Sequence, residues 1–295
     1  MGTTALRRRL PAFAAGLATL ALALGSAALP AGAAPPVKDV DLVAVGDSYT
    51  AGVGAGDYVT PLPCLQTKEG YVNLLIEELP IVDGNSTNAA CAGAVIVDRA
   101  SDIAPSVTEQ ITGLTASGTL SVRTELVTLT AGANDINFSA PLTACAGTQP
   151  EACAQAIQEV QAKFPALQAD LVEALIDIRR AAPHATIAVF GYPLLFDPAG
   201  GPALLTPEAQ ELVNAGTRAL NNVIAQATDA PRVKAKAVYV DVTEAFAGHA
   251  VNSERSWIHL GSLEDPQNFH PTPLGHQAYA DALQDAVNLN KLARP

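Results

Sequence analysis

Three short runs, "LVAVG" (42–46), "LVTLTAG" (126–132) and "TIAVFG" (186–191), constrain this chain more than any other feature. They are rich in β-branched residues, carry no charge and end at glycine. Such runs read as strands covered on both faces, not as strands with one wet side. "VKAKAVYVDVTEAF" (233–246) supplies a fourth strand. Between and after them, "YVNLLIEEL" (71–79), "FPALQADLVEALIDIRRAAP" (164–183), "TPEAQELVNAGTRALNNVIAQAT" (206–228) and "TPLGHQAYADALQDAVNLN" (272–290) repeat apolar residues at helical spacing. In the third helix, Thr206 is placed to cap the N-terminus and Pro207 to occupy its first turn. Strands alternating with helices predict an α/β domain with a parallel sheet between helical layers. In such sheets the functional groups gather beyond the carboxyl ends of the strands. The polar residues there are Asp47 with Ser48, Asn134 with Asp135, and Asp197. The long irregular stretch 248–273 is a further functional candidate.

Residues 1–33 do not belong to that fold. Arg7–Arg9 precede an apolar run that closes on Ala31-x-Ala33, the pattern of a cleaved export signal, with cleavage expected after Ala33. The expectation is a secreted, extracellular protein, with one domain over 34–295. Losing the three arginines leaves 14 basic residues against 29 acidic ones, a net charge of −15. A surface that acidic repels phosphate backbones, which argues against nucleic-acid partners. No later run is long enough for membrane insertion.

In an oxidising compartment four cysteines suggest two disulfides, with three pairings open. Cys64–Cys91 and Cys145–Cys153 are favoured because each closes a short local loop. A zinc site would want a close pair such as C-x-x-C, and the chain has none.

The segment "DLVAVGDSYTAGVGAGD" (41–57) raises two chemical readings. Its glycines do not match G-x-G-x-x-G or a phosphate-binding P-loop, so nucleotide binding is disfavoured. Ser48 follows a strand, although "GDSYT" is not the G-x-S-x-G elbow of α/β-hydrolases. A nucleophilic serine needs a base and oxyanion donors. Of the histidines at 184, 249, 259, 270 and 276, His270 stands between Phe269 and Pro271 on a loop just before a helix. Asn134, in "GAND", carries an amide at a strand end, and Gly93, in "ACAGA", could bring a bare backbone N–H to a substrate.

These blocks, "VAVGDSYTAGVG", "ACAGA", "LVTLTAGANDINF" and "FHPTPLGHQAYA", resemble those of the SGNH (GDSL) hydrolase family, in the same order and across the whole domain. The likeness is greatest to the secreted actinobacterial esterases, lipases and phospholipases, whose cysteine spacings are also similar. The resemblance implies a flavodoxin-like three-layer α/β/α sandwich and an esterase or lipase mechanism through an acyl-serine. It makes Ser48 the nucleophile and His270 the base. The oxyanion hole would come from the N–H groups of Ser48 and Gly93 and the Asn134 side chain. Neither a cofactor nor a metal is implied. A fatty-acyl or other lipid ester is the expected small-molecule substrate, and a monomer the expected state.

The chain departs from the family pattern twice. Where an Asp three residues before the histidine would fix its tautomer, this chain has Gln267. A main-chain carbonyl, that of Gln267, is the expected substitute, with Asp265 and Glu264 as side-chain alternatives. A third disulfide is also missing, "GHAVNSE" (248–254) standing where relatives have a cysteine, so a looser loop is expected. A carbohydrate acetyl esterase and a catalytically impaired binding homologue are the alternative functions.

Overall fold

A strand buried on both faces can satisfy its backbone only against other strands. In a computed structural model of the protein, which describes residues 40–78, 86–99, 102–147, 149–201, 203–262 and 265–292, the apolar runs pair in this way. They form β1 (Leu42–Gly46), β3 (Leu126–Thr130), β4 (Thr186–Phe190) and β5 (Ala237–Val240). A two-residue edge strand, β2 (Thr87–Asn88), completes a parallel sheet in the order β2–β1–β3–β4–β5. The export signal with its cleavage site, and Glu264, lie outside the described residues.

Helices α1 (Ser48–Ala51) and α2 (Tyr71–Glu78) lead from β1 to β2, and α3 (Val107–Ala116) leads from β2 to β3. Three helices, α4 (Ser139–Cys145), α5 (Pro150–Gln161) and α6 (Phe164–Ala181), connect β3 to β4. Then α7 (Pro207–Thr228) reaches β5, and α8 (Pro273–Ala286) and α9 (Leu289–Leu292) close the chain. α2 packs on α8, while α3 and α7 both pack on α6, the two groups that right-handed crossovers put on opposite faces of such a sheet. The result is the expected α/β/α sandwich. All five residues of β1 and of β3 are buried, as their apolar composition requires. On one face, the rings of Tyr71, Phe190 and Tyr279 lie within 5.7 Å of one another and join α2, β4 and α8. Thr206 caps α7 by accepting from the Ala209 N–H.

The strand order reverses direction at β1 and β3, the place where such sheets bind ligands. Ser48 follows β1, and Asn134 follows β3.

Both expected disulfides form, Cys64–Cys91 and Cys145–Cys153, and no described cysteine is free. They span 27 and 8 residues. Loop-closure entropy assigns about 3.5 kcal/mol to the first and about 2.5 kcal/mol to the second. Urea unfolding of the paired Cys→Ala variants is expected to show losses in that order. Equal losses would mean that loop entropy does not set their contribution.

Candidate active site

Gly46 ends β1 at φ +140°, a conformation that disfavours any side chain, and a Cβ there would sit 2.4 Å from the Thr130 carbonyl. The chain therefore turns against the end of β3, and the Asp47 N–H donates to that same carbonyl at 3.0 Å. The Asp47 carboxylate is buried and caps α1. It accepts from the Tyr49 N–H (3.0 Å), the Thr130 hydroxyl (2.7 Å) and the Tyr192 hydroxyl (2.5 Å). Burial pushes its pKa up to about 6, the three donors pulling the other way. Thr50 and Thr130 hydrogen-bond through their hydroxyls at 2.6 Å, which makes a second tie between the two strand ends. Ser48 is thus held on a turn with little freedom to move.

The His270 Nε2 lies 2.6 Å from the Ser48 Oγ, and its Nδ1 lies 3.0 Å from the Asn268 carbonyl. A carbonyl can only accept, so Nδ1 carries the proton and Nε2 is left to accept the serine O–H. The expected main-chain orienting group is therefore present but one residue further along. The Gln267 carbonyl accepts instead from His270's own backbone N–H at 3.0 Å, and only adds a smaller upward pull on the ring's pKa. The physical reason is Phe269, whose left-handed φ of +61° turns the chain between Asn268 and His270. Asp265 is spent elsewhere, its Oδ1 accepting from the Gln267 N–H. Burial, only partly offset by these carbonyls, lowers the His270 pKa from 6.5 to about 4. The ring is neutral at pH 7, as a general base must be.

Two ties position the histidine loop. The Tyr49 hydroxyl donates to the Phe269 carbonyl at 2.6 Å, linking the residue after Ser48 to the residue before His270. His259 pairs with the loop backbone, donating its N–H to the His270 carbonyl (2.8 Å) and accepting from the Phe269 N–H (2.9 Å). Its Nε2–H donates to the Gly54 carbonyl at 2.8 Å. A Cβ on Gly54 would lie 2.4 Å from the Pro271 carbonyl and 3.3 Å from the His270 Cβ. Gly54 thus lets His270 approach the loop that follows Ser48. His276 is fully buried on α8, where its Nε2–H donates to the Val53 carbonyl at 3.0 Å, and it does not face Ser48.

Gly93 is in the left-handed region at φ +79°, with nothing within 4 Å of the place its Cβ would take. Among the described residues, neither its N–H nor that of Ser48 donates to another group of the chain. One N–H of the Asn134 amide donates to the Ala94 carbonyl at 2.9 Å, which ties it to the Gly93 loop and leaves its second N–H available. Asp135 braces that loop by accepting from the Ile96 N–H at 3.0 Å. Asp197 caps a single 3₁₀ turn, its side chain accepting from the Ala199 N–H. The loop with "GHAVNSE" is not loose: the Asn252 side chain donates to the Asp197 and Gly201 carbonyls and accepts from the Asp197 N–H.

A cavity of about 220 Å³ opens from Ser48, Asn134 and His270, walled by Phe138, Leu142, Leu195, Leu220 and Phe269. A hydroxyl hydrogen-bonded to a neutral imidazole, beside free amide donors and an apolar cavity, at the carboxyl edge of a parallel sheet, defines a serine ester hydrolase. The relationship to known proteins agrees. Residues 44–278 match the GDSL-like Lipase/Acylhydrolase family, to which the chain belongs, and it is a carboxylic-ester hydrolase. It is 33% identical to a lipase of Streptomyces rimosus over 96% of this chain and 99% of that protein. It is 31% identical to lipase 2 of Streptomyces coelicolor over 98% and 100% of the two chains. The crystal structure of an extracellular lipase from Streptomyces rimosus superposes with a TM-score of 0.71 at 28% identity, covering 84% of this chain and all of the other. Phospholipase A1 from Streptomyces albidoflavus gives a TM-score of 0.68 at 27% identity, with the same coverage.

Tyr49, Tyr192, His259 and Asn268 are missing from the residues singled out by sequence. Tyr192 had one usable signal, its place at the carboxyl end of a buried strand. Two outcomes are expected. Because His270 is lowered below its ordinary value, the base is lost only as pH falls towards about 4. The acid limb of kcat/KM should therefore lie well below pH 6.5, and a limb at or above 6.5 would contradict the burial argument. Tyr49→Phe should lower kcat by about tenfold with little change in KM, the cost of one hydrogen bond to the histidine loop. An unchanged kcat would show that the loop holds itself.

Proposed function

We propose that the protein is an exported lipase or esterase that cleaves fatty-acyl esters through an acyl-Ser48 intermediate. The observation that carries this is the 2.6 Å contact from the Ser48 Oγ to the His270 Nε2 at the mouth of an apolar cavity. The Ser48 Oγ attacks the ester carbonyl while its proton passes to His270 Nε2. The developing oxyanion takes hydrogen bonds from the Ser48 and Gly93 N–H groups and from the Asn134 amide. His270 then returns the proton to the leaving alcohol, and water repeats the sequence on the acyl-enzyme. The Asn268 carbonyl holds the tautomer throughout. It cannot stabilise an imidazolium as a carboxylate would, but it orients the ring, which supports a working base over an impaired homologue.

Export draws support from the basic and apolar segment 1–33, read as a signal preceding a single domain over 34–295. The two disulfides fit an oxidising compartment. Among the described residues no helix is long and apolar enough to cross a membrane. An acetyl group would leave most of the apolar cavity unfilled, so its lining favours longer acyl chains over acetylated sugars.

p-Nitrophenyl esters of increasing acyl length provide the test. Catalytic efficiency should rise beyond acetate to a medium or long chain, and Ser48→Ala should lose about 10⁴-fold or more in kcat. Full activity in Ser48→Ala would rule out the acyl-serine. An optimum at acetate would favour the carbohydrate esterase.

A further inference from the structure

We propose that a second recess bordering Ser48 is a binding site for the apolar arm of the leaving alcohol, which makes the preferred substrates lipid esters that are apolar on both sides of the scissile bond. The proposal rests on the acyl-Ser48 reading. This recess is a wider groove of about 540 Å³. Leu62, Pro63, Leu65, Ile103, Ala104 and Pro266 form most of its wall, Asp102 and Gly93 also border it, and it shares Ser48, Asn134 and His270 with the narrower cavity.

The tetrahedral carbon formed on Ser48 carries four groups: Oγ, the oxyanion, the acyl carbon and the alkoxy oxygen. Gly93 and Asn134 occupy the oxyanion's direction, which leaves two arms to place. Two apolar recesses meet at that point. The order of departure decides which arm goes where. When the carbonyl carbon–alkoxy bond breaks, the alcohol oxygen takes the proton from His270 Nε2 and the alcohol must leave before water enters. The acyl arm stays covalently attached until the second step. The arm that leaves first belongs in the wider groove, whose walls reach solvent, and the retained arm in the narrower cavity. Leu62 and Ile103 on those walls are 76% and 87% exposed. Single exposed apolar residues are ordinary. Two of them continuing the apolar lining of a groove that ends at the nucleophile mark a site for apolar substrate.

The alcohol side can be varied with the acyl group held constant, using methyl, butyl and octyl butanoates followed by proton release. In the wild type, kcat/KM should rise at least tenfold from methyl to octyl. Ile103→Asp and Leu62→Asp, at exposed positions, should each cut the octyl-to-methyl ratio about tenfold. The acyl-length optimum on p-nitrophenyl esters should not move. Circular dichroism confirms that both variants are folded. A ratio unaffected in both variants overturns the proposal while the hydrolase reading stands. A shifted acyl optimum overturns it by assigning the groove to the acyl arm. A loss seen only on emulsified substrate, with selectivity among dissolved esters intact, overturns it in favour of a lipid-surface contact. A wild type that hydrolyses none of the esters overturns both readings together.

Discussion

The arrangement of this site depends on one buried carboxylate. Asp47 sits where β1 ends, and its three side-chain hydrogen bonds reach its own helix, the end of β3 and the end of β4. An acid so deeply buried is costly unless its oxygens are satisfied, and here donors from three elements satisfy them. The arrangement locks the turn that presents Ser48 to the strand end that precedes Asn134. With its own backbone N–H and the Thr50–Thr130 pair added, Asp47 makes the carboxyl edge of the sheet a rigid platform. Ser48 is then held against the end of the strand that leads to Asn134.

The base is the part that does rely on a loop, and strain is the device that aims it. Phe269 is held in a left-handed conformation that costs of order 1 kcal/mol for a residue with a Cβ. Both its backbone polar groups are engaged, the N–H by the His259 carbonyl and the carbonyl by the Tyr49 hydroxyl. These bonds keep the turn that faces the Asn268 carbonyl to the imidazole. The His270 ring is thus held by a carbonyl and not by a carboxylate, so nothing in direct contact with it carries a full charge to raise its pKa. Burial then dominates and keeps the ring neutral.

Two recesses leaving one serine give the reaction a direction. The narrow cavity suits the arm that remains bound between the two chemical steps, and the wider groove suits the arm that must depart. This division follows from covalent bookkeeping at the tetrahedral carbon, and the shape of the protein supplies the two paths.

Much of this was legible in the sequence because it rests on local pattern. Unbroken β-branched runs imply strands buried on both faces, helical spacing covers them, and alternation of the two imposes a parallel sheet. Ser48, Asn134 and His270 stood out only together, through the order of blocks that resembles the SGNH (GDSL) family, since each alone reads as an ordinary turn or loop residue. The two-residue strand β2 was not legible, being too short to show any period. The orienting carbonyl was placed one residue early because a positive φ at Phe269 leaves no mark in residue type. Every residue has a carbonyl, so only the path of the backbone says which one faces the ring. Gly54, in the glycine tail, had no explanation along the chain because its constraint is the approach of Pro271 and His270, more than two hundred residues away. Local chemistry, written in residue order, determined the strands and the helices, and the order of four short blocks pointed to Ser48, Gly93, Asn134 and His270. Tertiary structure alone decided the tautomer, the neutrality of the base and the two paths from the serine, since these depend on groups that only folding brings together.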